Sequence, residues 1–150
     1  METAFAAKGL KNINDDENKP NYRTIDGMLF TKDSTTIVTC PIGKNEPINL
    51  PQNIKHIFQY AFSNCKITSI TLPEGLISIG HWAFSGNTQL KRIVIPSTVT
   101  LIESGPFTSC TSLSNLTIAE GNNHYYMDGF AIYSIGGDTL VSCHKSADSI

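Results

Sequence analysis

The side chains of this 150-residue chain that carry reactive or metal-binding chemistry are four cysteines and four histidines. Cys40, Cys65, Cys110 and Cys143 are each separated from the next by far more than the two to four residues of a zinc-site cysteine pair. His56, His81, His124 and His144 show no H-x-x-x-H spacing and bring no carboxylates in a ligand pattern, so no metal ligands are assigned. Cys143 and His144 are adjacent, and neighbours on a strand face opposite ways, which excludes a Cys/His catalytic pair. G-x-S-x-G, P-loop and G-x-G-x-x-G signatures are missing. Asp26 and Asp128 each precede a glycine, where a turn explains them better than paired acid/base work. Neither a catalytic site nor a cofactor is expected.

Composition narrows the partners. Eleven Lys+Arg against thirteen Asp+Glu leave a charge of −2, which offers no field for nucleic acid or an anionic membrane. No stretch approaches the ~18 apolar residues of a membrane span, and the first residues lack the apolar run of a signal peptide. Charged residues are only 16% of the chain, below the ~25% of ordinary soluble domains. Ser, Thr and Asn fill the gap with 14, 15 and 12 residues, and Ile leads with 18. That combination predicts β structure with uncharged polar faces.

The elements that position these residues are repeats. Leu50-Pro51, Leu72-Pro73 and Ile95-Pro96 recur at spacings of 22 and 23, as do Phe62, Phe84 and Phe107. Ile54, Leu76 and Val99 form a further column, and Ile57, Ile79 and Ile102 another. Ile67, Leu90 and Leu113 recur at 23, as do Ile70, Ile93 and Leu116. Thr3-Ala4-Phe5, Leu10 and Ile13 repeat Tyr60-Ala61-Phe62, Ile67 and Ile70. A longer similarity, offset by about 103 residues, matches Tyr22 with Tyr125 and Phe30–Cys40 with Tyr133–Cys143; both segments read as β-hairpins. The plan is a partial repeat over 1–20, a hairpin insert over 21–47, three repeats over 48–121, and a hairpin with the start of another unit over 122–150.

The expected fold is an α/β solenoid with one short parallel strand per repeat. Alternation places Ile93 and Ile95 inward and Arg92 and Val94 outward. Proline ends each strand. The V-x-x-I columns are expected to pack behind the sheet, and the Ala-Phe segment to make a short helical or 3₁₀ turn.

The unit, carried by Leu50-Pro51…Ala61-Phe62-x-x-Cys65, Leu72-Pro73…Ala83-Phe84 and Ile95-Pro96…Phe107-x-x-Cys110, resembles the BspA-like leucine-rich repeats of bacterial and protist surface proteins. It departs from that pattern at Asn87 for Cys, Pro106 for Ala, and Asp15 for an apolar strand residue. The resemblance implies a cell-surface or secreted protein that binds host or matrix components.

The repeats also constrain the cysteines. Cys65 and Cys110 share a column two repeats apart, about 10 Å at ~4.8 Å per strand, beyond the ~7 Å limit for a disulfide. Their column, with Asn87, is expected to cap turn backbone as small buried side chains. A Cys40–Cys65 pair stays open, with nothing in the sequence favouring it.

Two faces are candidates for binding a protein or glycan. The outward strand positions give one column of Ser69, Arg92 and Asn115 and another of Asn49, Thr71, Val94 and Thr117, polar except for Val94 and suited to hydrogen bonding. The alternative is that they only keep an open sheet soluble. The second face lies before Ala-Phe, where Tyr60 and Trp82 share a column next to His81. The simpler expectation is that these rings pack on the repeat core or on the next segment. The sequon Asn115-Leu116-Thr117 falls on a strand and reads as chance. Neither end shows a polar cap, so the chain is expected to be a piece of a longer array or to associate end to end. A structural spacer or self-assembling unit is the competing function.

Overall fold

The computed structural model describes residues 21–45, 47–137 and 139–143. The partial repeat over 1–20 with Asp15, the histidine at 144 and the unit expected to begin at Ile150 lie outside the described residues.

Thirteen short strands follow one another among the described residues. β1 (Tyr22–Ile25), β2 (Met28–Thr31) and β3 (Thr36–Thr39) come first, then β4 (Ile48–Asn49), β5 (His56–Ile57), β6 (Ile70–Thr71) and β7 (Ser78–Ile79). β8 (Arg92–Ile95), β9 (Leu101–Ile102), β10 (Asn115–Ile118), β11 (Tyr125–Asp128), β12 (Ala131–Ser134) and β13 (Leu140–Cys143) complete the order. No helix occurs among the described residues, which corrects the α/β expectation to a β-solenoid.

Each repeat contributes two strands rather than one. The first ladder is broken into two parallel two-stranded sheets, β4 with β6 and β8 with β10. The second ladder pairs β5, β7 and β9 in parallel, and β3 joins its near edge. The Ile57, Ile79 and Ile102 column therefore forms strands of its own instead of packing behind a sheet. Between the ladders, the proline that ends the first strand lends its carbonyl to a tight turn. Ile54, Leu76 and Val99 amides donate to Pro51, Pro73 and Pro96 at 3.2, 3.2 and 3.3 Å.

The third side of each turn of the solenoid is the Ala-Phe segment. Here the helical expectation fails because residues in left-handed conformation break it: Tyr60, Trp82 and Gly105 at one position, Asn64, Gly86 and Ser109 at another. The segment is a chain of β-turns, locked by bonds running from one repeat to the next. Phe62 N–H donates to Ala83 O at 2.8 Å and Phe84 N–H to Pro106 O at 2.9 Å.

The core is one continuous column. Phe62, Phe84 and Phe107 stack with centroids 5.3 and 5.6 Å apart and interplanar angles of 0° and 13°. Ile93 and Ile95 are buried while Val94 is 44% exposed, as the strand alternation requires.

The two hairpin segments are each three-stranded meanders, β1-β2-β3 and β11-β12-β13. Asp26-Gly27 makes the first turn with φ of 49° and 71°, so this aspartate has a turn role. The second meander covers the far edge of β9. The Tyr125 hydroxyl accepts from Ile102 N at 2.8 Å and donates to Thr100 O at 3.4 Å, filling the groups a further strand would take. Asn122 donates to Pro96 O and Val99 O, both at 3.1 Å.

Candidate functional site

The seven strand-face residues lie where alternation puts them. Asn49 pairs with Thr71, Arg92 with Asn115 and Val94 with Thr117. All six are exposed, and so is Ser69, whose carbonyl accepts from Ile48 N at 3.3 Å. The structure thus brings these residues onto one side of the first ladder. The only charge in the set is the Arg92 guanidinium, so recognition there would rest on hydroxyls and amides.

The second candidate is built on the Ala-Phe turns. Tyr60 and Trp82 occupy equivalent positions, with ring centroids 6.0 Å apart in an edge arrangement. His81 lies 5.8 Å from Tyr60 and 5.4 Å from Trp82, close to parallel with the indole at 29°. Tyr60 remains 43% exposed and Trp82 40%, so the rings do not enter the core. Half of the simpler expectation holds, since the indole does lie against the next repeat. A Cβ on Gly105 would come within 2.7 Å of Trp82 Nε1.

The neighbouring repeat holds this ridge in place. Tyr60 N–H donates to His81 O at 3.0 Å, and Trp82 N–H to Ser104 O at 3.1 Å. His81 N–H donates to Glu103 Oε2 at 2.8 Å, and its Nδ1 shares a hydrogen bond with Ser104 Oγ at 2.6 Å. Glu103 and Ser104 were not singled out by sequence reasoning, although both fall in the same turn columns. Phe58, 43% exposed and two residues before Tyr60, lies in the same turn and was not assigned to the site. A lone aromatic in a turn column has no periodicity to mark it.

The backbone adds a second peculiarity. Tyr60 and Trp82 have φ of 59° and 54°, and Gly105 takes the same position at 64°. The left-handed region costs a non-glycine residue roughly 1–2 kcal/mol. Glycine takes this conformation at least cost, and two repeats carry aromatic rings there instead.

The cysteines fall into structural places. Cys65 Sγ donates to Cys40 O at 3.3 Å, Asn87 Nδ2 to Phe62 O at 2.7 Å, and Cys110 Sγ to Phe84 O at 3.1 Å. This column therefore caps the carbonyl of the preceding repeat, as expected. Burial is the main reason that the Cys110 thiol is pushed up to about 11, a hydrogen bond from the Asn87 backbone pulling the other way. No cluster of three or more His, Cys, Asp or Glu among the described residues could hold a metal.

Residues 42–136 match the family model for the BspA type leucine rich repeat region, in six copies. The chain belongs to the BspA-type leucine-rich repeat family. A leucine-rich repeat protein from Eubacterium ventriosum is similar over 75% of this chain and 32% of its own, at 30% identity and a TM-score of 0.69. The pneumococcal vaccine antigen PcpA is similar over 76% of this chain and 34% of its own, at 27% identity and a TM-score of 0.62. The chain thus spans about a third of the length of these bacterial leucine-rich repeat structures. No curated protein matches it. Membership of this family points to protein interaction in general. No helix among the described residues is long and apolar enough to cross a membrane.

Proposed function

We propose that the chain is a non-enzymatic protein-interaction module of a cell-surface or secreted protein, and that it binds through the ridge of Tyr60, His81 and Trp82. One observation carries this reading. Two aromatic residues occupy left-handed turn positions, where the third repeat uses glycine, and hold their rings at 43% and 40% exposure. They burden the fold and add little to its core, a pattern that marks recognition sites. Aromatic residues on a rigid base also lose little conformational freedom on binding, and Tyr and Trp dominate interface hot spots. The polar strand face is assigned a supporting role, as the rim of the contact or as solvation of the sheet. The resemblance to the vaccine antigen PcpA supports the surface location.

The test is binding to an array of purified matrix proteins and glycans by three forms of the chain: wild type, Tyr60→Ser/Trp82→Gly, and Arg92→Ala/Thr71→Ala. The expected result is a protein signal lost in the aromatic variant and kept in the strand variant. Loss only in the strand variant would move the site to the first ladder. A signal on glycans alone would change the ligand class, and no signal at all would leave the spacer reading in possession.

A further inference from the structure

The thiols of Cys40 and Cys65 belong neither to the aromatic ridge nor to the stacked phenylalanine column. Their placement follows from the repeat register. The side chains at 65, 87 and 110 each reach back to the carbonyl of the preceding repeat's core position. For Asn87 and Cys110 that position is Phe62 and Phe84. For Cys65 it is Cys40, which stands 22 residues before Phe62 and so extends the phenylalanine column by one repeat. The register is fixed by Cys40 N–H donating to Ala61 O at 2.7 Å.

The Cys65 thiol therefore lies against Cys40 on the adjacent layer of the solenoid. Cys65 is 0% exposed and Cys40 2%. The Cys65 thiol is held far above its ordinary range, first by its hydrogen bond with Cys40 and then by burial. Among the described residues no other cysteines are so placed. Asn87 lies between Cys65 and Cys110 in their column, and Cys143 is exposed on β13.

We propose that Cys40 and Cys65 are a cross-linking site, joined as a disulfide when the chain folds in the presence of an exchangeable small-molecule disulfide. A thiolate of one cysteine attacks the disulfide and expels one small thiol. The second cysteine, as thiolate, attacks the mixed disulfide, forms the Sγ–Sγ bond and expels the other. The two protein thiols give up two protons and two electrons, and the reagent disulfide is reduced to two thiols. Exchange occurs while the chain folds, because the finished core buries both sulfurs and keeps Cys65 protonated. The bond ties the β1-β2-β3 meander to the first full repeat, across the edge where β3 pairs with β5 over two residues. Oxidising compartments are where such bonds persist.

The experiment refolds the reduced chain in a buffer of reduced and oxidised glutathione. Free thiols are then alkylated under denaturing conditions and the chain is digested without reduction for mass spectrometry. The expected result is a Cys40 peptide joined to a Cys65 peptide, with Cys110 and Cys143 alkylated. The oxidised chain should melt roughly 10 °C above the reduced one, from closure of the intervening loop. Cys65→Ser should abolish both the linked peptide and that difference. Four alkylated cysteines, or a link involving Cys110 or Cys143, would overturn the assignment.

Discussion

Asn87 offers the sharpest test of how the solenoid is held. The repeats differ in length at one point. Two residues separate Asn87 from Leu90 and Cys110 from Leu113, but Lys66 alone separates Cys65 from Ile67. In the longer turns Leu90 N–H donates to Asn87 O at 3.2 Å and Leu113 N–H to Cys110 O at 3.1 Å. The short turn forces Lys66 to a φ of 61° and sends the Ile67 N–H to Asn87 Oδ1 at 3.1 Å instead. The Asn87 amide also donates to Phe62 O and Phe84 O, both at 2.7 Å. Asn87 thus compensates for a residue missing one repeat earlier. Asn87→Ala removes three buried hydrogen bonds at ~1 kcal/mol each and leaves the Ile67 amide unpaired, for a total of about 3–5 kcal/mol. In a thermal melt followed by circular dichroism the midpoint should fall by roughly 10 °C or more. Asn87→Cys should lose about half as much, because a thiol can cap Phe62 O but serves the Ile67 amide poorly. Inserting a glycine after Lys66 should remove part of the cost of Asn87→Cys. Asn87→Ala within ~1 kcal/mol of wild type, or an insertion that worsens Asn87→Cys, would refute this reasoning.

Further outcomes follow from other contacts. Tyr125→Phe deletes the hydroxyl that receives Ile102 N–H and should lower stability by about 1–3 kcal/mol in urea unfolding, with amide exchange accelerated first at β9. Gly105→Ala forces a methyl group onto the Trp82 indole at a φ of 64°, so tryptophan fluorescence should shift along with a loss of stability. Ile93→Asp places a carboxylate at a site only 1% exposed and should abolish the cooperative melt. The Cys110 thiol, raised from 9.0 to about 11, favours the folded state fully below pH 9 and loses that contribution as the pH rises through 11. Unfolding free energy should therefore decline over that range, and less steeply in Cys110→Ser.

The buried columns were legible because a solenoid copies one core environment at each turn, so Ile57, Phe62 and Ile70 return as Ile79, Phe84 and Ile93. The outward strand residues followed from simple alternation. The second ladder was not legible, since a two-residue strand such as Ser78–Ile79 is too short to show a period. The Ala-Phe segment was expected to make a short helical or 3₁₀ turn, because nothing in Tyr60 or Trp82 announces a left-handed backbone; Gly105 in the same column was the available hint. The role of Asn87 was also in the sequence, in the 22-against-23 spacing, but its meaning needed the hydrogen bonds of the shortened turn. Tyr125 repeats Tyr22 at the longer offset, yet its capping hydroxyl depends on where β9 ends. The ridge itself is a surface property, and surface residues answer to a partner rather than to the fold.

The proposed role of that ridge is tested most directly by titrating the partner found on the array against wild type and Trp82→Gly. Glycine suits the backbone at this position, as Gly105 shows, so the variant should melt close to wild type. Affinity should fall at least tenfold, about 1.4 kcal/mol, as for a hot-spot ring. An unchanged affinity in the folded variant would contradict the assignment of the aromatic ridge as the binding surface.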